Sequence, residues 1–247
     1  MDIPRRSTRR AALGLGLAAG VGTLVGCGSS ASPDAARNTV ASSAAPSEPT
    51  VTNPDEALAR LKDGAARFTA GSVRRPDQGV TYRTALAAGQ HPFALTLSCS
   101  DSRVPPEIVF DQGLGDLFVA RTAGQVVDHA VLGSIQYGIA ELKIPLLVVL
   151  GHEKCGAVKA TVEATEKKAA PAGNDIDTLV AAIKPAVEQA EKDKAVDVVD
   201  AAVRNNVANI VAALGKEPIL GAAVAAGSLR IVGARYDLDA GTVEFLT

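Results

Sequence analysis

The sequence predicts an α/β protein, a mainly parallel β-sheet flanked by helices, with an N-terminal helical arm. Short apolar runs bounded by Pro, Gly or polar residues read as buried strands, the clearest being Phe93-Ala94-Leu95-Thr96-Leu97-Ser98 and Leu146-Leu147-Val148-Val149-Leu150. Stretches of helical period lie between such runs, the alternation expected of parallel strands joined by crossover helices. An apolar content of 47% over 247 residues is ample for a substantial core.

Charge and aromatic content exclude one class of function. The formal charge is −2, basic residues cluster only in the first ten positions, and the chain has five Phe, three Tyr and no Trp. A nucleic-acid surface needs basic patches and aromatic platforms, so no nucleic-acid partner is expected.

Taken in order, the chain opens with Arg5, Arg6, Arg9 and Arg10 before the apolar, glycine-rich stretch Ala11 to Gly26. This is the pattern of a signal peptide over residues 1–26, and an uncleaved anchor helix is the alternative. Thr8-Arg9-Arg10-Ala11-Ala12-Leu13 resembles a twin-arginine export signal, and Leu24-Val25-Gly26-Cys27 resembles a bacterial lipobox, which implies lipidation of Cys27. Cleavage before Cys27 removes four Arg and one Asp, taking the formal charge from −2 to −5. Residues 27–53, rich in Ser, Ala, Pro and Thr, have the composition of a flexible tether. The expected location is therefore extracytoplasmic, on the cell membrane through a lipid anchor. Residues 54–247 remain for the folded domain.

That domain begins with a helix whose N-cap is Asn53, followed by Pro54, two acids and the stripe Leu58, Leu61, Ala65, Phe68. Pro105-Pro106-Glu107 starts a short helix, and Asp116-Leu117-Phe118-Val119-Ala120 reads as a strand. Asp128 to Leu142 is helical by period, with Val131, Leu132, Ile135, Ile139 and Leu142 on one face. Gly156 to Lys168 is a further helix, with Glu163 and Lys167 spaced for an i,i+4 pair. From Asp175 to Leu214 two helical patterns follow, the first expected to bend or break near Pro185 and the second to end with Gly215 at C′. Pro218 starts a short helix. Arg230 to Tyr236 and Thr242 to Leu246 read as a strand pair across Asp239-Ala240-Gly241.

Both of the clearest strands finish in metal-type ligands. Cys99 closes the first, and Gly151-His152-Glu153-Lys154-Cys155-Gly156 follows the second. In an open parallel sheet the carboxyl ends of strands are where sites assemble, which predicts a zinc ion held by Cys99, His152 and Cys155. Two thiolates and one imidazole leave a tetrahedral position open. Asp101 is placed to orient water there, and Arg103 to hold Asp101 off the metal by a bidentate ion pair. If that pair breaks, Asp101 becomes a fourth ligand in a closed state. The alternatives are a Cys99–Cys155 disulfide, two small core cysteines, and a structural zinc with Asp101 as permanent ligand. His91 reads as a turn residue and His129 as a helix-start residue. Arg121 reads as an ion-pair or anion-orienting residue, and Gly151 and Gly156 as permitting tight turns and close approach.

With these residues laid out, the chain resembles the β-class carbonic anhydrases. The matching motifs are Cys99-Ser100-Asp101-Ser102-Arg103-Val104 and Gly151-His152-Glu153-Lys154-Cys155-Gly156. Gly115 to Gly124, Gly133-Ser134-Ile135-Gln136-Tyr137 and Leu229 to Ala234 look like the family too. The resemblance covers roughly Asn53 to the C-terminus. It implies zinc-dependent, reversible hydration of carbon dioxide to bicarbonate and a proton by a zinc-bound hydroxide. The ligands it implies are Cys99, His152 and Cys155, with Asp101 and Arg103 as the catalytic dyad. It also implies a homodimer or higher homo-oligomer, with N-terminal helices embracing the partner. Two positions depart from the pattern: Thr122 stands where many relatives place Asn, and Gly113 where plant-type members have an active-site Gln. A carbonyl sulfide or carbon disulfide hydrolase of the same fold, or a non-catalytic zinc-binding surface lipoprotein, are the alternative functions.

Overall fold

Leu146-Leu147-Val148-Val149-Leu150 shows no alternation of apolar and polar residues because both of its faces are covered. In the computed structural model, which describes residues 51–246, the strands are β1 (Ala94–Cys99), β2 (Leu117–Thr122), β3 (Leu146–His152), β4 (Arg230–Tyr236) and β5 (Val243–Leu246). They form one sheet in the order β2-β1-β3-β4-β5. The first four are parallel to their neighbours, and β5 returns antiparallel to β4. The expected signal segment, Cys27 and nearly all of the expected tether lie outside the described residues.

The helices are α1 (Pro54–Thr69), α2 (Val80–Leu86), α3 (Pro106–Val109), α4 (His129–Ala140), α5 (Gly156–Glu166), α6 (Ile176–Lys192), α7 (Val198–Lys216) and α8 (Pro218–Ala225). Asn53 caps α1 as expected, its side-chain oxygen accepting from the amides of Asp55 at 2.8 Å and Glu56 at 3.3 Å. The α1 stripe then packs within its own chain: Leu58, Leu61 and Ala65 join Phe93, Val104, Phe110, Val148, Leu150 and Tyr236 in one buried cluster. Gly64 sets how closely α1 approaches, since a Cβ there would lie 1.8 Å from the Phe110 carbonyl oxygen. On the other face of the sheet, Leu95, Leu97, Leu147 and Val149 meet Ile135 and Ile139 of α4, Val207 and Leu214 of α7 and Leu220 of α8.

Three local features sharpen the sequence reading. The helix expected to bend or break near Pro185 is not broken there and runs through as α6. Pro185 and Ala181, the residue whose carbonyl loses its partner, both face solvent, so water can satisfy that carbonyl. Gly215 does not end α7; it is the penultimate helical residue, and the helix stops because Pro218 drives Glu217 into an extended conformation at ψ 133°. Glu217 then caps α8, accepting from the amides of Ile219 and Leu220 at 3.0 and 2.9 Å. Finally, α2 lacks a side-chain cap and buries no residue, so it left no apolar stripe to read.

Candidate metal centre

The register that pairs Ser98 with Leu150 brings the ends of β1 and β3 side by side. Cys99 and His152 therefore finish next to each other at the carboxyl edge of the sheet, and Cys155 returns as the N-cap of α5. The return is made by Lys154, whose φ of 53° supplies the left-handed residue of the turn. The flanking glycines do other work. Gly151 gives α7 room, since a Cβ there would sit 2.7 Å from Val207 Cγ2, while Gly156 faces open space. Glu153 and Lys154 tie the turn to the β4–β5 connection: Glu153 accepts from the Leu238 amide at 3.1 Å, and Lys154 Nζ lies 2.5 Å from Asp239 Oδ2.

Cys99 Sγ, Cys155 Sγ and one His152 ring nitrogen all lie within 4.8 Å of one another, and all three residues are buried. The sulfurs are 4.0 Å apart, so the cysteines are free thiols and not a disulfide. Two sulfurs each about 2.3 Å from a tetrahedral zinc would be about 3.8 Å apart, close to the observed spacing. His152 gives an independent indication. Its Nδ1 lies 2.8 Å from the Glu153 carbonyl oxygen, which can only accept, so Nδ1 carries the proton and Nε2 presents a lone pair. That Nε2 is buried and has no hydrogen-bond partner among the described residues. A buried lone pair beside two thiols suits a metal ion.

The site's electrostatics point the same way. A hydrogen bond with Cys155 draws the Cys99 thiol down to about 4, helped by His152 and the Gly124 amide against opposing burial. The reciprocal contact with Cys99, reinforced by burial, pushes Cys155 upward. Burial works against charge on His152, yet its contact with the Cys99 sulfur raises it on balance. The cluster is thus built to hold negative charge on sulfur next to an imidazole, the environment a divalent cation completes.

Asp101 and Arg103 form the expected fork. Arg103 Nε donates to Oδ1 at 2.9 Å and Nη2 to Oδ2 at 2.7 Å, and the Arg103 amide adds a third bond to Oδ1 at 2.9 Å. The guanidinium holds the Asp101 carboxyl well below the usual carboxylate range. Asp101 Oδ2 stands 3.8 Å from His152 Nε2, at the rim of the ligand cluster and beyond hydrogen-bond distance of the imidazole.

Arg121 does something the sequence did not reveal. Instead of pairing with an acid or facing an anion, it donates to the backbone carbonyls of Cys99 at 2.9 Å, Asp101 at 2.7 Å and Val104 at 3.3 Å, so one side chain fixes the loop bearing ligand and dyad. Thr122 turns its hydroxyl to the Val126 carbonyl at 2.7 Å, closing the 3₁₀ turn Ala123–Gln125 that follows β2. Gly113 has no room for a side chain, because a Cβ would meet the Pro76 carbonyl oxygen at 2.5 Å. His91 and His129 are exposed and outside the ligand cluster.

The carbonic anhydrase family matches residues 94–243, which span Cys99, Asp101, Arg103, His152 and Cys155. The chain belongs to the β-carbonic anhydrase family. Carbonic anhydrase 2 of Mycobacterium tuberculosis is 47% identical over 191 residues, covering 77% of this chain and 91% of that protein. Among solved structures, the Coccomyxa β-carbonic anhydrase in complex with acetazolamide has a TM-score of 0.61 at 28% identity, over 76% of this chain and 86% of the other. A tetrameric β-carbonic anhydrase from Sordaria macrospora has a TM-score of 0.60 at 26% identity, over 78% and 95% of the two chains. β-Carbonic anhydrases use zinc, and Cys99, His152 and Cys155 form the group that fits it here.

Proposed function

We propose that this protein catalyses the reversible hydration of carbon dioxide to bicarbonate and a proton. The observation that carries this reading is the convergence of Cys99, His152 and Cys155 to within 4.8 Å beside the Asp101–Arg103 fork. Those three residues would hold zinc, which would supply a Lewis acid to activate water.

The chain's own groups divide the remaining work. Asp101, an ionised acceptor at the rim of the site, takes a hydrogen bond from the attacking water and aims its lone pair at the carbon. Arg103 keeps that carboxylate ionised and turned outward, and Arg121 holds the backbone on which both stand. A carboxylate held this far below its usual range is a poor base, so Asp101 orients water and does not store the proton, which passes to solvent buffer. Burial of all three ligands keeps competing solvent away from the donors.

Stopped-flow carbon dioxide hydration on the zinc-loaded full chain tests the proposal, with carbonyl sulfide hydrolysis measured on the same sample. A hydration rate proportional to zinc content is expected. A zinc-replete chain with no rate above buffer would make it a binding protein, and turnover of carbonyl sulfide alone would make it a hydrolase.

The protein also works as a homo-oligomer in this reading. Among the described residues β2 is an edge strand with no neighbour on its outer side, and Leu117, Phe118 and Val119 are only half-buried along it, a surface suited to a second copy. Export and lipid anchoring at Cys27 complete the proposal. The described chain enters the fold at the amino-terminal edge of the sheet, where Asp55 pairs with Arg230 at the start of β4 at 2.6 Å. The metal centre occupies the opposite edge, where β1 and β3 end. Acyl chains on Cys27 in the mature protein, read by mass spectrometry, would support anchoring; a full-length chain retained in the cytoplasm would refute it.

A further inference from the structure

The two ligand sulfurs stand on different supports. Cys155 is the N-cap of α5 and makes no side-chain cap bond, its place set by the helix it begins. Cys99 accepts from the Gly124 amide at 3.3 Å, in the short turn after β2. Gly124 has φ 65°, and a Cβ there would meet Ile183 Cδ1 at 2.7 Å, so only glycine fits. Glycine is also the residue whose two peptide planes swing most freely, and no side chain can lock them.

A hydrogen bond from the opposite side supplies the lock. The Gly124 carbonyl oxygen accepts from Asn206 Nδ2 at 3.0 Å. Asn206 is 4% exposed and lies on α7 between Val203 and Val207, two valines that pack against Gly151. Burying a primary amide among valines is unfavourable unless it is bonded, and this one is spent on the residue that touches a ligand sulfur. Thr122 closes the ends of the turn, yet it does not hold the Gly124 carbonyl.

We propose that Asn206 is a positioning residue for the metal centre: by anchoring the Gly124 carbonyl it keeps the Gly124 N–H on the Cys99 sulfur and so sets that thiolate's donor strength toward a bound divalent ion. An N–H···S hydrogen bond withdraws electron density from sulfur, and such outer contacts tune both the affinity and the electronic character of a site. The inference rests on reading Cys99, His152 and Cys155 as a metal centre.

The test replaces zinc with cobalt(II) in the full chain and reads the thiolate-to-cobalt charge-transfer absorption, together with zinc retention against a chelator. Asn206→Leu keeps the volume and removes the donor. It should move the band to longer wavelength, because the freed sulfur is easier to oxidise, and, because the turn no longer holds that sulfur in place and this outweighs its stronger donation, weaken zinc retention by about tenfold. Asn205→Leu is the control: it removes a 3.2 Å bond to the Ala186 carbonyl from the same helix without touching the sulfur, and should leave both readouts unchanged. Asn206→Ala, which relieves any crowding, gives a second reading of the same loss. A folded, cobalt-loaded Asn206 variant with an unshifted band would overturn the proposal. So would loss of fold in both Asn206 variants while Asn205→Leu folds, which would assign Asn206 to the scaffold. Failure of the parent chain to bind cobalt or zinc would instead refute the metal-centre reading itself.

Discussion

Replacing Asp101 by Asn separates chemistry from metal binding. The carboxylate accepts three bonds from Arg103, and its Oδ2 lies 3.8 Å from His152 Nε2, outside the ligand set. Asparagine keeps one acceptor but puts an NH₂ group where Oδ2 met Nη2 at 2.7 Å, so donor faces donor and the fork opens. The attacking water then loses its charged acceptor. Loss of a positioned group of this kind costs roughly 10²- to 10⁴-fold in rate, which is about 3–5 kcal/mol of transition-state stabilisation. Stability should hardly change, because Arg103 is half exposed and solvent screens the pair. Stopped-flow hydration, zinc content and thermal unfolding on one preparation give the three readouts. Undiminished turnover would remove Asp101 from the mechanism, and zinc lost in parallel with activity would make Asp101 a ligand.

Asp111→Asn should destabilise the fold by about 2–4 kcal/mol at neutral pH, measured by denaturant unfolding, since this buried carboxylate accepts from Arg67 at 2.6 Å and from the Arg74 and Arg75 amides. Burial opposes its ionisation, but those donors outweigh burial and hold Asp111 below its ordinary value. Its stabilisation is therefore present above about pH 4, the unfolded value, and is lost as pH falls through the lower folded value, so parent and variant should converge in acid. Gly64→Ala should cost about 3 kcal/mol or more in the same assay, because the new methyl overlaps the Phe110 carbonyl; an unchanged midpoint would refute the packing of α1. Chelation followed by mild oxidation should close a Cys99–Cys155 disulfide, seen as loss of two titratable thiols, whereas zinc-loaded protein should resist.

The strands and the convergence of Cys99, His152 and Cys155 were legible because their signals are local. Leu146–Leu150 is continuous in the sequence, and His152 and Cys155 follow it within five residues. What stayed hidden depends on partners far along the chain. Arg121 looks like any surface cation until its three carbonyl acceptors are in place, and Asn206 lies 82 positions from the glycine it holds. Pro185 left the choice between bend and break open because a proline's cost depends on whether solvent reaches the orphaned carbonyl, which composition does not record. Gly215 misled because the real stop signal came from the residue before Pro218. The N-terminal arm around a partner came from the family resemblance, and what the stripe itself shows is packing within its own chain: Leu58, Leu61 and Ala65 are buried there.

Zinc K-edge absorption on the purified full chain and on Asp101→Asn tests the central claim most directly. Two sulfurs at about 2.3 Å and two nitrogen or oxygen neighbours at about 2.0–2.1 Å, unchanged in the variant, are the predicted result. One sulfur or none in the zinc shell, or a neighbour lost with the Asp101 carboxylate, would contradict an open site built from Cys99, His152 and Cys155.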